Sequence, residues 1–278
     1  MEMPDYEKLW SDGFQNENNY MRQYRAESSA KSYDASSKIW EDGFQRAADL
    51  PFERTDTVLD IGCGPGVLAI PLASKVRSVV MLDPSRAMLD LAEAHAESRG
   101  LTNLISINEA WEDTDLAKLG EVDYVIASYS LAMRDLRAAI EKMNAVARKG
   151  VYLYWFNGVT TWEKISVDLR PVIYGDEPPV RGKADVIYGL LSQMGISADV
   201  RHLVGTAFDK EFPNREAALM DLRRRLNLDT DRFNLILNDY LDMAGIYVPE
   251  NGKWIYRDRT NYVCLSWKTA LCGKRGKY

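Results

Sequence analysis

Val58-Leu-Asp-Ile-Gly-Cys-Gly-Pro-Gly66 decides how this chain is read. Thr57 to Ile61 is a short apolar run of strand length, broken by one acid, Asp60. Gly62, Gly64 and Gly66 follow at alternate positions, and a helical pattern opens at Val67 and runs to about Ser74. A glycine triplet alone is weak evidence. Between a buried strand and a helix it marks a sharp turn where a ligand can lie against bare backbone. Asp83 ends the next apolar run, Ser78 to Asp83. In an open parallel sheet these two strand ends are neighbours at the crevice where ligands bind. A carboxylate there can accept both hydroxyls of a ribose.

Outward from this loop the pattern repeats. Ser85 caps a helix to about Ser98, stopped by Gly100. Leu104–Ile107 is a third strand, Asp115–Leu119 a short helix, Val122–Ala127 a fourth strand. Asp135–Arg148 reads as a helix ended by Gly150, and Val151–Phe156 as a fifth strand. Strands that are nearly continuous apolar runs, alternating with helices, predict a parallel sheet covered on both faces. Further on, Pro171, Pro178 and Pro179 mark a loop. Lys183–Met194, Asn214–Leu226 and Thr230–Met243 read as helices. Ala198–Leu203 and Asn261–Trp267 are expected as the last two strands, added antiparallel, and Trp254–Tyr256 as a further strand.

The loop discriminates between ligand classes. A dinucleotide site needs Gly-x-Gly-x-x-Gly/Ala with a pyrophosphate on the helix N-terminus. Here the third small position is Val67, and Asp60 aims a carboxylate at the site. That charge suits a ligand carrying an ammonium group and repels a pyrophosphate. At these residues the chain resembles the class I S-adenosylmethionine-dependent methyltransferases, of the type 11-like small-molecule kind. Leu59-Asp-Ile-Gly-Cys-Gly-Pro-Gly66 resembles their first motif, and Met81-Leu-Asp-Pro-Ser-Arg-Ala-Met-Leu89 their second. Val122–Leu131 resembles the fourth. Asn108-Glu-Ala-Trp111 stands where the family often has Gly-Asp-Ala. The resemblance implies a Rossmann-like α/β fold with a seven-stranded, mostly parallel sheet and helices on both faces. It also implies S-adenosyl-L-methionine as cofactor and S-adenosyl-L-homocysteine as product. Asp60, Gly62, Cys63, Gly64, Gly66 and Asp83 would hold the cofactor, with Pro84, Met88, Glu109, Ala110 and Trp111 near the adenine. Ser128 would lie beside the methyl group, and Tyr33, in a Tyr-Asp pair with Asp34, over the cofactor.

Composition bounds the rest. The chain has 278 residues, 46% apolar and 27% charged, the proportions of a globular protein with a real core. The net charge of −6 argues against a broad phosphate-gripping surface. Arg223-Arg224-Arg225 is a local basic run, read as a solvated helix face. No apolar run approaches the roughly 20 residues that a membrane-crossing helix needs. Cys63, Cys264 and Cys272 form neither a disulfide framework nor a paired zinc spacing, so no metal and a cytoplasmic location are expected. A monomer or homodimer is equally compatible.

Two histidines exist. His95 reads as solvated; His202, at the end of a late strand, is a candidate base. Tyr129 follows the fourth strand and is the other catalytic candidate. With Trp155, Phe156 and Trp162 it is also a candidate for the acceptor pocket. Residues 1–50 are expected as an N-terminal helical lid, with Trp10-Ser-Asp-Gly-Phe-Gln15 echoed by Trp40-Glu-Asp-Gly-Phe-Gln45. Residues 51–278 are expected as the catalytic domain, with substrate-side insertions at about 157–195 and 206–250, the second a C-terminal helical insertion. Methyl transfer to an already nucleophilic small molecule needs no strong base. An RNA or protein methyltransferase, a non-catalytic cofactor-binding scaffold and a nicotinamide oxidoreductase are the competing readings.

Overall fold

The computed structural model describes residues 4–13, 34, 37–178, 182–203 and 208–269. Five apolar runs become the strands β1 (Thr57–Ile61), β2 (Ser78–Leu82), β3 (Leu104–Ile107), β4 (Val122–Ser128) and β5 (Ala147–Asn157). They pair in parallel in the order β3-β2-β1-β4-β5. Then come β6 (Asp199–Leu203), three strands of a separate small sheet, β7 (Lys210–Phe212), β8 (Tyr247–Glu250) and β9 (Lys253–Tyr256), and finally β10 (Asn261–Lys268). β10 enters between β5 and β6 and runs antiparallel to β6, which completes a seven-stranded, mostly parallel sheet.

Successive side chains leave a strand on opposite faces. Leu59, Ile61, Val125, Ala127 and Leu153 therefore join one core layer, and Val58, Ile126 and Tyr154 the other. The first layer is closed by helices α1 (Tyr6–Asp12), with Trp10, and, further along the chain, Leu136–Val146, with Met143, and Ala184–Gln193, with Ile187. The second is closed by α2 (Ser37–Asp49), α3 (Ala69–Ala73) and α4 (Arg86–Ser98), through Ala47, Leu72 and Leu89. Burial on both faces is why the strands read as continuous apolar runs. Ser85 caps α4, its hydroxyl accepting from the Met88 amide. α5 (Leu116–Leu119) starts at Asp115, and α6 (Leu136–Val146) starts at Asp135, which accepts from the Ala138 amide at 2.9 Å.

Several local expectations give way to tertiary packing. Gly150 does not end a helix. α6 stops at Val146, and Gly150 lies inside β5, paired with Tyr124. A side chain there would meet the Trp267 carbonyl oxygen at 2.7 Å, so glycine lets β10 approach. The two echoed tryptophan segments also differ in role. Gly13 closes α1, whereas Gly43 sits mid-helix in α2, where any side chain would collide with the backbone of Val67.

α1 is held by the core of the sheet domain. Trp10 is fully buried, donates its indole N–H to the Met133 carbonyl at 2.7 Å, and packs on Trp155 with ring centroids 5.6 Å apart. Trp10→Ala should therefore cost about 3–5 kcal/mol, and trimming the chain to Ser36 at least as much. Thermal unfolding of either variant checks this, with a fall in Tm of roughly ten degrees expected. An unchanged Tm would mean that α1 contributes no packing.

The chain divides into two compact units, the sheet domain (1–156, 181–203 and 262–278) and a second unit (157–180 and 204–261). The second unit holds β7–β9 and α7 (Thr161–Ile173), then, beyond the sheet domain's α8 (Ala184–Gln193), α9 (Arg215–Arg225) and α10 (Asn234–Met243). Pro171, expected in a loop, lies in the last turns of α7, which starts at a capping box formed by Thr160 and Glu163. The arginine run is not a freely solvated face. Arg224 and Arg225 pair with the buried Asp221 at 2.5 and 2.7 Å, and Arg223 pairs with Asp231. Tyr247 also donates to Asp221, at 2.8 Å. These partners hold the Asp221 carboxyl below its ordinary range against the opposing effect of burial. Among the described residues no helix is long and apolar enough to cross a membrane.

Candidate functional site

Three neighbouring strands end at one level. Ile61 is in register with Leu82 on one side and Ala127 on the other, so Gly62, Asp83 and Ser128 come side by side. The amides of Gly62 and Cys63 both donate to the Leu82 carbonyl, at 2.7 and 3.2 Å, which folds the glycine loop back over β2.

The three glycines do different work. Gly62 (φ +66°) and Gly66 (φ +90°) are hemmed in by protein: a side chain on Gly62 would strike Ser130, and one on Gly66 would lie 2.8 Å from Ile70. Gly64 (φ +55°) has, among the described residues, no atom within 4 Å of where its Cβ would be. Its amide donates to Asp83 Oδ2 at 2.9 Å. Asp83 Oδ1 accepts from the Ser85 amide at 2.8 Å. Two backbone donors thus fix the carboxylate. Asn108 steadies the same strand end by donating to the Asp83 carbonyl at 2.9 Å.

Asp60 is the anomaly of the core. It is 1% exposed, and among the described residues neither carboxylate oxygen has a hydrogen-bond partner. Burial pushes its carboxyl up to about 7; Arg46 pulls it down, and Asp83 adds to the rise. Alternation along β1 turns Asp60 to the face carrying α2. Arg46 of α2 is itself buried, 5% exposed. It donates to Asp42 at 2.7 Å and to Ser128 Oγ at 2.5 Å, and lies 5.0 Å and 5.1 Å from the ring centres of Tyr129 and Tyr154. Arg46 escaped the sequence reading; its only local signal was an Asp42/Arg46 pair one helical turn apart. Cys63 is buried, and its thiol is pushed well up by burial and by the nearby Asp83 and Asp60, which deprives it of nucleophilic character.

Tyr129 stands immediately after β4 with φ +57°, a conformation costly for an aromatic residue and characteristic of constrained sites. Its ring stacks on Phe156 at 5.2 Å, and Tyr262, at the start of β10, meets both rings at an angle. Tyr262, not foreseen, joins this cluster only because β10 returns beside β5. Ser130 braces the turn by donating to the Ile61 carbonyl at 2.5 Å.

The remaining expected residues have varied surroundings. His202 is exposed on β6, four strands from β1 and so ~19 Å away across the sheet. Trp155 is a core residue, 4% exposed, its indole donating to the Gly182 carbonyl at 3.0 Å. The Trp111 indole is likewise buried and donates to the Ala139 carbonyl at 3.2 Å. Met88 is buried at the start of α4, Pro84 and Ala110 are half-buried, and Glu109 lies 3.8 Å from Lys118. Trp162 belongs to the second unit, edge-on to Phe208 at 5.5 Å. Tyr33 lies outside the described residues. His95 is not simply solvated: its Nε2 is 2.7 Å from Asp34, and its ring meets Trp40 edge-on at 4.7 Å.

Comparison with known proteins bears on residues around this loop. Residues 58–150 match the family described as methyltransferase domain. The chain is 30% identical over 102 residues to CRG1 of Saccharomyces cerevisiae, named a probable S-adenosylmethionine-dependent methyltransferase, covering 36% of this chain and 35% of that protein. It is 37% identical over 90 residues to a ubiquinone biosynthesis O-methyltransferase of Methylobacterium sp., covering 30% and 36%. The matches thus span about a third of the length of these relatives. The crystal structure of the Bacillus subtilis YcgJ protein shares the fold, with a TM-score of 0.54 at 13% identity, over 82% of this chain and 98% of that one.

Proposed function

The chain carries a class I S-adenosylmethionine-dependent methyltransferase domain, and from that premise we propose that it transfers the methyl group of S-adenosylmethionine to a small-molecule acceptor. The observation that carries the reading is the buried Asp60 just before the glycine loop together with Asp83, which accepts from the loop's Gly64 amide. Among the described residues the Asp60 carboxylate is buried without a hydrogen-bond partner, that of Asp83 is aimed by two amides, and Gly64 has open space where a Cβ would stand. The residues fit the cofactor. Asp60 supplies the missing counter-charge to an ammonium group, Asp83 accepts from the ribose, and the loop admits close backbone contact. When bound, the cofactor supplies a methyl group on a positively charged sulfur, already activated toward in-line displacement.

The protein's share is to bind, orient and exclude water. Ser128 and Tyr129, at the end of β4, border the loop, and the stacked rings of Tyr129 and Phe156 present apolar aromatic surface beside it. Such faces suit a planar or cationic acceptor. The pairing of Arg223, Arg224 and Arg225 with acids leaves no basic strip in that run for a nucleic acid, which supports the small-molecule reading over RNA.

Calorimetric titration with S-adenosylhomocysteine, S-adenosylmethionine and NAD tests the proposal, with binding of the first two and not the third expected. Asp83→Ala should weaken S-adenosylhomocysteine by about 100-fold, since charge-assisted hydrogen bonds are worth roughly 1.5–3 kcal/mol each. It should also lower Tm, because the Gly64 and Ser85 amides lose their acceptor. Undiminished affinity in that variant would remove Asp83 from the ribose.

A further inference from the structure

Lys210, Tyr256 and Tyr247 form a row across the small sheet of the second unit. Each stands directly opposite the next in the β7–β9 and β9–β8 ladders, so the three side chains share one face. α9 lies on that face. Tyr247 donates to Asp221 at 2.8 Å, and the Arg225 guanidinium lies over the Tyr256 ring at 4.2 Å. Lys210 and Arg225 thus flank the same tyrosine, one from the neighbouring strand and one from the helix. Lys210 is exposed and belongs to an edge strand, so the row is open to solvent at that end.

The charges along this row do not balance. Asp221 is already shared by Arg224, Arg225 and Tyr247. Lys210 has no ion-pair partner within 4 Å among the described residues, and burial, Arg225 and Arg224 lower its pKa while Asp221 opposes them. Three cations therefore face one carboxylate. The Tyr256 hydroxyl is a second, independent mark. The residue is 1% exposed, yet among the described residues its oxygen has no hydrogen-bond partner. A buried hydroxyl left unpaired is costly and uncommon in a native fold. Asp209 and Asp258 also act on Tyr256, but both carboxylates are engaged. Asp209 accepts from Arg257 at 3.2 Å and from the Asp258 amide at 2.7 Å, and Asp258 accepts from the amide and hydroxyl of Thr260.

We propose that Lys210, Arg225 and Tyr256 form an oxyanion-binding site in the second unit, for a small molecule that carries a carboxylate or phosphate group. The three supply an ammonium, a guanidinium and a hydroxyl, the donors that such a group accepts from most strongly. Arg225 gives its Nε–H to Asp221 at 2.7 Å, which fixes the plane of the fork over the ring. The pairing of the arginine run with acids removes an extended basic strip but not this local excess, so the site fits a compact anion rather than a polymer. It stands apart from the S-adenosylmethionine reading and needs no residue of the glycine loop.

Inorganic phosphate and malonate are the probes, titrated calorimetrically into the full chain at pH 7 with ionic strength held constant by sodium chloride. The wild type should bind at least one of them at a single site. Lys210→Gln should weaken that probe about tenfold, and Tyr256→Phe by a similar factor. Tyr256→Phe removes a hydroxyl that has no partner in the free protein, so its Tm should not fall, which separates a lost ligand contact from a damaged fold. Lys253→Gln is the control. Lys253 pairs with Glu211 on the opposite face of the same sheet, and its loss should change affinity less than twofold. Tighter binding of phosphate assigns a phosphate ester as the ligand and tighter binding of malonate a carboxylic acid, and either supports the site. Failure of the wild type to bind either probe overturns it. So does full affinity in both Lys210→Gln and Tyr256→Phe, or a loss in Lys253→Gln as large as in Lys210→Gln, which would report bulk charge. Displacement of the probe by S-adenosylhomocysteine would put the anion at the glycine loop and overturn the assignment as well.

Discussion

Gly64→Val should give a folded protein that no longer binds S-adenosylhomocysteine. The position is left-handed, with φ +55°, and among the described residues no atom lies within 4 Å of the added Cβ. The cost to the apo fold is therefore mainly backbone strain, of order 1–3 kcal/mol for a branched residue. The isopropyl group projects instead into open space beside the loop, where the cofactor is proposed to lie, and a loss of affinity beyond 100-fold is expected. Gly62→Ala makes the contrast. Its methyl group would strike Ser130, so that variant should lose stability first, by about 1–3 kcal/mol. Calorimetric binding beside thermal unfolding distinguishes the two. Gly64→Val binding within threefold of wild type would show that the ligand does not cross this glycine.

Asp60→Asn should stabilise the ligand-free protein at pH 8 while weakening S-adenosylhomocysteine by about 100-fold. The Asp60 carboxyl is raised to about 7 by burial, with Arg46 of α2 opposing and Asp83, beyond β2, adding to the rise; Cys63 of the loop lies near them. A folded value above the unfolded one of 3.8 means that the native state holds the proton more tightly. Below pH 4 both states are protonated and Asp60 contributes nothing. Between pH 4 and 7 stability falls as pH rises, and above 7 the full penalty remains, at 1.36 kcal/mol per unit between the two values, a few kcal/mol in all. The amide cannot ionise and escapes it. The ligand's ammonium group needs the ionised acid, so wild-type affinity should fall up to tenfold per pH unit below 7, a dependence that Asp60→Asn abolishes. Urea unfolding and titration from pH 5 to 8 check both. Equal stability of the two proteins at pH 8 would mean that Asp60 is not held as a strained anion.

The parallel half of the sheet was legible because its signals are local. β1 and β3 have the boundaries their apolar runs predict, and Ser85 and Asp115 mark helix starts by their own side chains. Asp83 and the glycine loop were legible for the same reason. Arg46, Tyr262 and the role of Trp10 were not, because each acquires its meaning from a partner far along the chain: Ser128, Phe156 and Met133 respectively. Gly150 was misread as a helix stop since a glycine looks the same whether it ends a helix or admits Trp267. His95 resembled helix surface until Asp34 and Trp40 came beside it.

The position of β10 has a consequence for synthesis on the ribosome. β5 can pair with β4 as soon as residue 157 has emerged, but its other edge is satisfied only by a strand that begins at Asn261. While residues 158–260 are being made, Val151-Tyr-Leu-Tyr-Trp-Phe156 presents an unpaired edge of β-prone, apolar side chains. At roughly 5–20 residues per second that interval lasts about 5–20 seconds, long against the pairing of a hairpin. Nascent chains stalled before β10 should therefore recruit holdase chaperones or aggregate, and release of a chain that includes residue 268 should end that exposure.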